Sequence, residues 1–186
     1  MSSRSVASQH PPIELRSPKW WLKGLSKALL AFVVVYLPIH WFSANYRFAF
    51  DMIEGVNCLP ETFFLIDLND QNVGRGDYVA FRTEQMEPFY ENGTTAIKIL
   101  AGVPGDRVVV DANGATVNEH YWGPLHHVRA EGRLTELGKT VADYTRSLDV
   151  PEGEMWMMAP HERSYDSRYW GTIQADQVIG HVIPLF

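Results

Sequence analysis

The sequence predicts a mostly β domain preceded by one transmembrane helix, and three observations support this fold class. From residue 62 onward, short apolar runs alternate with turn residues, as they do in antiparallel sheets. The pattern contains no βαβ alternation and no internal repeat. Near the N-terminus, 19 successive residues between Lys27 and Arg47 include no Asp, Glu, Lys or Arg.

Residues 20–46 form the predicted membrane anchor. Their uncharged part, residues 28–46, would span about 28 Å as a helix, close to the roughly 30 Å of a bilayer's hydrocarbon layer. Trp20 and Trp21 precede this stretch and Trp41 lies near its far end, where membrane proteins carry aromatic belts.

Two alternatives to an anchor remain open. A cleaved secretory signal would share the basic start, but Phe-Ser-Ala-Asn at 42–45 is a poor cleavage site. A buried core helix would need a polar stripe, which residues 28–37 lack. Pro38 and His40 weaken the span, although both lie near its end.

The charge distribution predicts the orientation of the anchor. Residues 1–27 carry a net charge of +4 and the remainder carries −10, for a total of −6. Basic residues stay on the cytoplasmic side, so we expect a single pass through the inner (plasma) membrane. Residues 1–19 would be a disordered cytoplasmic tail and residues 47–186 an extracytoplasmic domain. The acidic balance argues against a nucleic-acid partner.

Turn residues divide the predicted domain into its elements. Turns are expected at 69–72 and 112–114, a loop at 83–93 and a short helix near 134–147. The predicted strands are 62–68, 78–81, 95–101, 107–111, 115–118, 155–159 and 177–184.

Cys58 is the only cysteine, so neither an intrachain disulfide nor a cysteine-based zinc site can form. The histidines have no helical H-x-x-x-H spacing, and no metal site is predicted. Most free cysteines are small buried core residues. Cys58, however, stands between Asn57 and Pro60 at an element boundary, and an exported thiol is a liability in an oxidising compartment. Both a core role and a catalytic role stay open at this point.

Lys98 is unusual because it occupies the middle of an apolar strand. Ala96 and Leu100 share its face, since successive strand residues point to opposite sides. We expect this loss of solvation to lower the pKa of Lys98 and to favour a neutral amine that can accept a proton. The alternatives are an edge-strand lysine and a lysine that extends to water.

Three segments together resemble the type I signal peptidases, serine–lysine peptidases that remove leader peptides at the outer membrane face. IKILAGVPGD at 97–106 resembles the lysine box of that family, and SYDSRYWG at 164–171 resembles its S-x-D-S-R-Y-x-G box. GDYVAF at 76–81 resembles its G-D-hydrophobic strand. The resemblance implies an antiparallel coiled β-sheet domain with an extended substrate groove, and it favours Lys98 as general base.

The nucleophile position departs from the family pattern. Cys58-Leu59-Pro60 stands where the family has serine, an apolar residue and a nearby proline. This order is similar to the branch that serves conjugative plasmid transfer. A thiol is the better nucleophile, and reference pKa values of about 8.5 for Cys and about 10.4 for Lys allow a close pair to rest as thiolate and ammonium.

The resemblance also implies supporting residues. Ser164 matches the serine that orients the lysine, and Asp166 and Arg168 match a structural charged pair. The backbone N–H of Cys58 would donate to the oxyanion. Some relatives add a hydroxyl two residues earlier, but Val56 stands there, which leaves Asn57 as a weak second candidate.

Two further regions carry expectations. Ala159-Pro160-His161 replaces the family's G-D-N, so the turn before the last box is expected to differ. An apolar surface patch near the site would contact membrane lipid, with Trp122, Trp156 and Trp170 as candidates and core packing as the alternative for each.

The function that the resemblance implies is a cysteine-nucleophile member of this serine endopeptidase family. Its substrate would be an exported precursor protein, including a conjugative pilin, and no cofactor is implied. A transpeptidase that cyclises the pilin, a self-cleaving repressor-type peptidase and a catalytically inactive assembly protein of a secretion system are the alternatives. The anchor argues against the repressor type. Retention of Lys98 and Ser164 argues against the inactive protein.

Overall fold

The computed structural model describes residues 19–50, 58–129 and 133–186. Residues 1–18 of the predicted tail, together with Val56 and Asn57, lie outside the described residues. The chain divides into two compact units, residues 1–42 and 43–186.

The predicted anchor is a single helix, α1, Lys19–Asn45, of 27 residues. It is the one helix of the described chain that is long and apolar enough to cross a membrane. None of its residues is buried, so the buried-core-helix alternative is wrong. Pro38 lies inside the helix without ending it, and the rings of Phe32, Tyr36 and His40 stack at one-turn spacing.

Within residues 43–186, the described part of the chain forms two antiparallel sheets and three short α-helices. The strands are β1 Tyr46–Phe50, β2 Phe63–Asp67, β3 Tyr78–Arg82, β4 Thr95–Gly102, β5 Arg107–Asp111, β6 Gly114–Val117, β7 His120–Gly123, β8 Arg146–Asp149, β9 Glu154–Met158, β10 Ile173–Gln174 and β11 Val178–Pro184. The helices are α2 His126–Arg129, α3 Arg133–Glu136 and α4 Ser167–Trp170.

Strand order is β1-β2-β11-β3-β4-β9-β10 in the larger sheet and β7-β6-β5-β8 in the smaller one. Each described pair within them is antiparallel. The mostly β, antiparallel prediction is confirmed, and each of the seven predicted strands is present.

The short helix predicted near 134–147 is present but covers less of the chain than expected. Only α3 and a 3-10 turn at Val141–Asp143 occupy that region, and β8 covers its end. The reason is Gly138, which adopts φ +72° and allows the N–H groups of Gly138 and Lys139 to bond back to the carbonyls of Thr135 and Leu134. This reversal ends the helix after one turn.

The two faces of strand β4 pack against two different hydrophobic clusters. Ala96, Lys98 and Leu100 are buried on one face, next to the larger cluster. Ile97 and Ile99 are half-buried on the other face, against the smaller cluster. The alternation predicted for this strand is confirmed, and it puts Lys98 on the face of the larger core.

The turn after β4 is held by the carboxylate of Asp106. It accepts hydrogen bonds from Val103 N at 2.8 Å, Asn118 Nδ2 at 2.7 Å and Arg75 Nη2 at 2.6 Å. Burial raises the pKa of Asp106, but these bonds outweigh it and hold the pKa below its ordinary value. One side chain therefore ties the end of β4 to the smaller sheet.

Replacing Asp106 by Ala should lower the free energy of unfolding by about 2 kcal/mol, because three donors lose their acceptor. The pKa of Asp106 is lower in the folded state than in the unfolded state. The stabilisation by its carboxylate is therefore complete above the ordinary pKa of about 3.9, and it disappears as pH falls through the lowered pKa. Urea unfolding in detergent micelles, from neutral pH to about pH 2.5, measures it.

Asp149→Ala is the matched control, because Asp149 pairs with Arg107 at 3.1 Å where both side chains are exposed. Such pairs contribute little to stability. Equal losses in the two variants would contradict the structural role of Asp106.

Candidate active site

Lys98 is buried, with 2% of its surface exposed. Strands β3 and β9 pair with β4 on either side, so Lys98 does not lie on an edge strand. Its Nζ donates a hydrogen bond to Ser164 Oγ at 3.1 Å. The edge-strand and water-seeking alternatives are therefore wrong, and Lys98 and Ser164 lie together as the resemblance implied.

The electrostatic surroundings of Lys98 reverse one expectation. Burial lowers the pKa of Lys98, but attraction to the phenol oxygen of Tyr90, the sulfur of Cys58 and the carboxylate of Asp166 outweighs burial. The net pKa is raised, so the predicted lowering is wrong. The prediction counted only apolar neighbours on the strand, whereas these partners come from three other segments of the chain.

Cys58 is half-buried and free, at the margin of the smaller hydrophobic cluster. Its neighbour Leu59 is fully within that cluster, which fixes the segment against the sheet. The sulfur interacts electrostatically with Lys98 and also with Arg168. The thiol and the buried amine therefore influence each other electrostatically.

The turn that carries Ser164 is closed by short-range hydrogen bonds. Ser164 is fully buried, and its backbone N–H donates to the carbonyl of His161 at 3.0 Å. At the start of the turn, Ala159 N donates to Asp166 Oδ2 at 3.2 Å. The segment that replaces the family's G-D-N is thus anchored to the following box by a carboxylate.

Asp166 and Arg168 form an ion pair with both side chains fully buried. Arg168 donates from Nη2 to Asp166 Oδ2 at 2.7 Å and from Nε to Oδ1 at 2.8 Å. Arg168 also donates to the carbonyls of Pro124, His161 and Ser164, at 3.0, 3.3 and 3.4 Å. Asp166 caps α4 by accepting from Arg168 N. The pair thereby stabilises the turn that carries Ser164.

Gly123 leaves space for the guanidinium of Arg168 because it has no side chain. It adopts φ +137°, and a Cβ there would lie 2.8 Å from Arg168 Nη1. A side chain would be strained and would also displace the guanidinium. The end of β7 and the buried pair therefore depend on each other.

Tyr90 is the neighbour of Lys98 that sequence reasoning missed. It lies in the loop between β3 and β4 and contributes to the electrostatic surroundings of the Lys98 amine. Its ring lies 6.1 Å from the ring of Tyr165, the residue that follows Ser164. No local pattern marks Tyr90, because the contact forms only when the loop folds over the strand.

Other predicted features are not part of this cluster. Trp156 is fully buried, so it packs in the core and does not contact lipid. Trp122 and Trp170 are half-buried against the larger core. Among residues 19–50, 58–129 and 133–186, no group of three or more His, Cys, Asp or Glu side chains could hold a metal.

The model of the family described as signal peptidase, peptidase S26, matches residues 23–186 of this chain. The chain belongs to this signal peptidase family. It is 27% identical over 144 residues to signal peptidase I of Bacillus caldolyticus, with 70% of this chain and 75% of that protein covered. The crystal structure of a signal peptidase I from Enterococcus faecalis V583 matches 60% of this chain and 97% of its own, at 22% identity and a TM-score of 0.37.

Proposed function

We propose that this signal peptidase family member is a membrane-anchored endopeptidase that removes leader peptides from exported proteins, with Cys58 as nucleophile and Lys98 as general base. The observation that carries the proposal is the buried amine of Lys98, which bonds to Ser164 and interacts with the only thiol. A buried amine aimed at a nucleophile is costly in a core, so a scaffold alone does not account for it.

In this proposal the pair rests as thiolate and ammonium, which the reference pKa values of about 8.5 for Cys and about 10.4 for Lys allow. The thiolate of Cys58 attacks the scissile carbonyl, and the ammonium gives its proton to the departing amine, which leaves a thioester and a neutral Lys98. The neutral amine then takes a proton from an attacking water. Collapse of the second intermediate releases the carboxylate and restores thiolate and ammonium.

Ser164 and the buried charged pair act through Lys98 in this scheme. Ser164 orients the amine, while Asp166 and Arg168 hold the Ser164 turn and do not touch the substrate. The oxyanion donor would include the backbone N–H of Cys58, with Asn57 as a proposed contributor. Ile97 and Ile99, half-buried on the Cys58 side of β4, would contact an extended substrate.

Lys98→Met should abolish cleavage and slow Cys58 alkylation, because the thiolate loses its counter-charge. We expect Cys58 of the parent to be alkylated faster than Cys58 of the variant at the same pH. Alkylation rates against pH measure this without a substrate. Lys139→Met is the matched control, since Lys139 is exposed.

Equal alkylation rates of Cys58 in the parent and in Lys98→Met across the pH range would contradict the dyad. The inactive assembly protein would then be the better interpretation.

Membrane lipid is the second proposed partner. Strands β1, β2 and β11, together with the two residues that follow β11, carry a patch of apolar side chains: Phe48, Phe50, Phe63, Ile183, Leu185 and Phe186. Phe50 packs edge-on to Phe63 at 4.0 Å, and Phe186 stacks on Phe63 at 5.0 Å. Contiguous apolar surface of this kind is uncommon on soluble proteins and is typical of interaction sites. With α1 as anchor, it supports the single-pass inner-membrane location, with residues 47–186 extracytoplasmic.

Phe50→Ser should raise KM for a precursor inserted in vesicles, because the patch loses apolar area, and should leave cleavage of a short soluble peptide unchanged. Leu137→Ser, at another exposed apolar position, should change neither. Steady-state kinetics on both substrates measure this. Equal effects of Phe50→Ser on the two substrates would contradict the lipid contact.

A conjugative pilin is the proposed substrate, on the ground of the Cys58-Leu59-Pro60 order. Hydrolysis would give a linear product, whereas capture of the thioester by an amine of the same peptide would give a cyclic one. Mass spectrometry of a cleaved pilin should find the linear mass, which exceeds the cyclic mass by one water. The cyclic mass would favour the transpeptidase, and an uncut pilin would remove it as the substrate.

A further inference from the structure

The two peptide groups on either side of Ser164 are held by hydrogen bonds to three residues. The N–H of Ser164 donates to the carbonyl of His161 at 3.0 Å, and the carbonyl of Ser164 accepts from Arg168 Nη2 at 3.4 Å. The carbonyl of Arg163 accepts from His127 Nε2 at 2.8 Å, the shortest of the three distances. The peptide unit that joins Arg163 to Ser164 is therefore fixed at its oxygen and at its nitrogen.

His127 reaches this turn from a different part of the chain, the short helix α2 that follows β7. The backbone N–H of His127 donates to the hydroxyl of Tyr169 at 3.2 Å, and its carbonyl accepts from Thr135 Oγ1 at 3.3 Å. The ring centroids of Phe89 and Tyr169 lie 4.8 Å and 5.3 Å from the centroid of the imidazole. These contacts hold both the backbone and the ring of His127 in place.

The bond to Arg163 determines which nitrogen of the His127 ring carries the hydrogen. A carbonyl oxygen only accepts hydrogen bonds, so Nε2 is the protonated nitrogen and donates. Burial lowers the pKa of His127, and repulsion from His126 and Arg168 adds to the lowering. The bond to Arg163 and the carboxylate of Asp166 oppose this change without reversing it. At neutral pH the ring is therefore an uncharged donor.

We infer that His127 is a positioning residue of the proposed dyad, which holds Ser164 Oγ beside Lys98 Nζ by fixing the Arg163–Ser164 peptide unit. The inference rests on the proposed function, since it takes Lys98 as the base. Ser164 Oγ accepts from Nζ at 3.1 Å, and both side chains are buried. A single rotatable bond separates this hydroxyl from the backbone, so a shift of the main chain at Ser164 would displace the oxygen from the amine.

A purely structural role for His127 is the alternative, because its ring also packs against aromatic neighbours. Two substitutions separate the two roles. Phenylalanine at position 127 keeps an aromatic ring and removes the donor. Glutamine removes the ring and keeps an N–H donor on a side chain of similar reach.

The test measures the rate at which iodoacetamide alkylates Cys58 in the full chain, in detergent micelles at neutral pH. His127→Phe should slow alkylation about fivefold, because the amine that stabilises the thiolate loses its fixed partner. His127→Gln should recover most of the parent rate, since its amide can donate to the same carbonyl. His126→Phe removes the adjacent imidazole but not the bond to Arg163, and it should match the parent.

The Ser164→Ala background distinguishes positioning from general damage to the fold. Because His127 acts through the hydroxyl of Ser164, His127→Phe should not slow alkylation further once that hydroxyl is absent. Urea unfolding shows which variants are folded, and His127→Met, which also lacks the donor, replaces His127→Phe if the latter is not. An equal fractional loss in the two backgrounds, a parent rate in His127→Phe, or equal losses in His127→Phe and His127→Gln would overturn the inference.

Lys98→Met tests the proposed function separately. Alkylation of Cys58 that is as fast in Lys98→Met as in the parent would overturn the dyad, and the His127 inference with it. Slow alkylation in Lys98→Met, combined with the parent rate in Ser164→Ala or in His127→Phe, would overturn the His127 inference alone.

Discussion

The buried ion pair of Asp166 and Arg168 is the interaction on which the geometry of the site depends. Two opposite charges without solvent are stable only when their remaining donors and acceptors are satisfied. Here the carboxylate of Asp166 also accepts a hydrogen bond from Ala159 N. The guanidinium of Arg168 donates hydrogen bonds to the carbonyls of Pro124, His161 and Ser164. Ala159, His161 and Ser164 lie at the start of and within the turn that presents Ser164 to the amine, whereas Pro124 follows β7. The buried charged pair thereby stabilises the position of Ser164, the hydrogen-bond partner of Lys98.

Much of the fold could be predicted because turn residues punctuate the chain. The glycine, proline and asparagine clusters between 62 and 118 mark the limits of β2 to β6 in the sequence. The strands that were missed, β1, β7, β8 and β10, have two to five residues and no clear alternation of apolar and polar side chains. Their pairing depends on tertiary contacts that a local pattern does not encode.

The features of the site likewise fall into those that the sequence predicts and those that it does not. Lys98, Ser164, Asp166 and Arg168 lie in segments with a recognisable order of residues, and the fold brings them together. The sign of the pKa shift and the contact of Tyr90 depend on segments that meet only in three dimensions. Loss of solvation can be estimated from the apolar neighbours of a strand residue, but the charges that compensate for it cannot.

The unequal exposure of Cys58 and Lys98 has a consequence for inhibition. The amine is sealed in the core, whereas the sulfur lies half-buried at the margin of a cluster. Reagents that acylate lysine should therefore spare this amine, while electrophiles with an affinity for sulfur can approach Cys58. A warhead designed for a serine hydroxyl would meet sulfur, which is softer and more polarizable than oxygen. Covalent compounds selective for this chain would accordingly be thiol-directed.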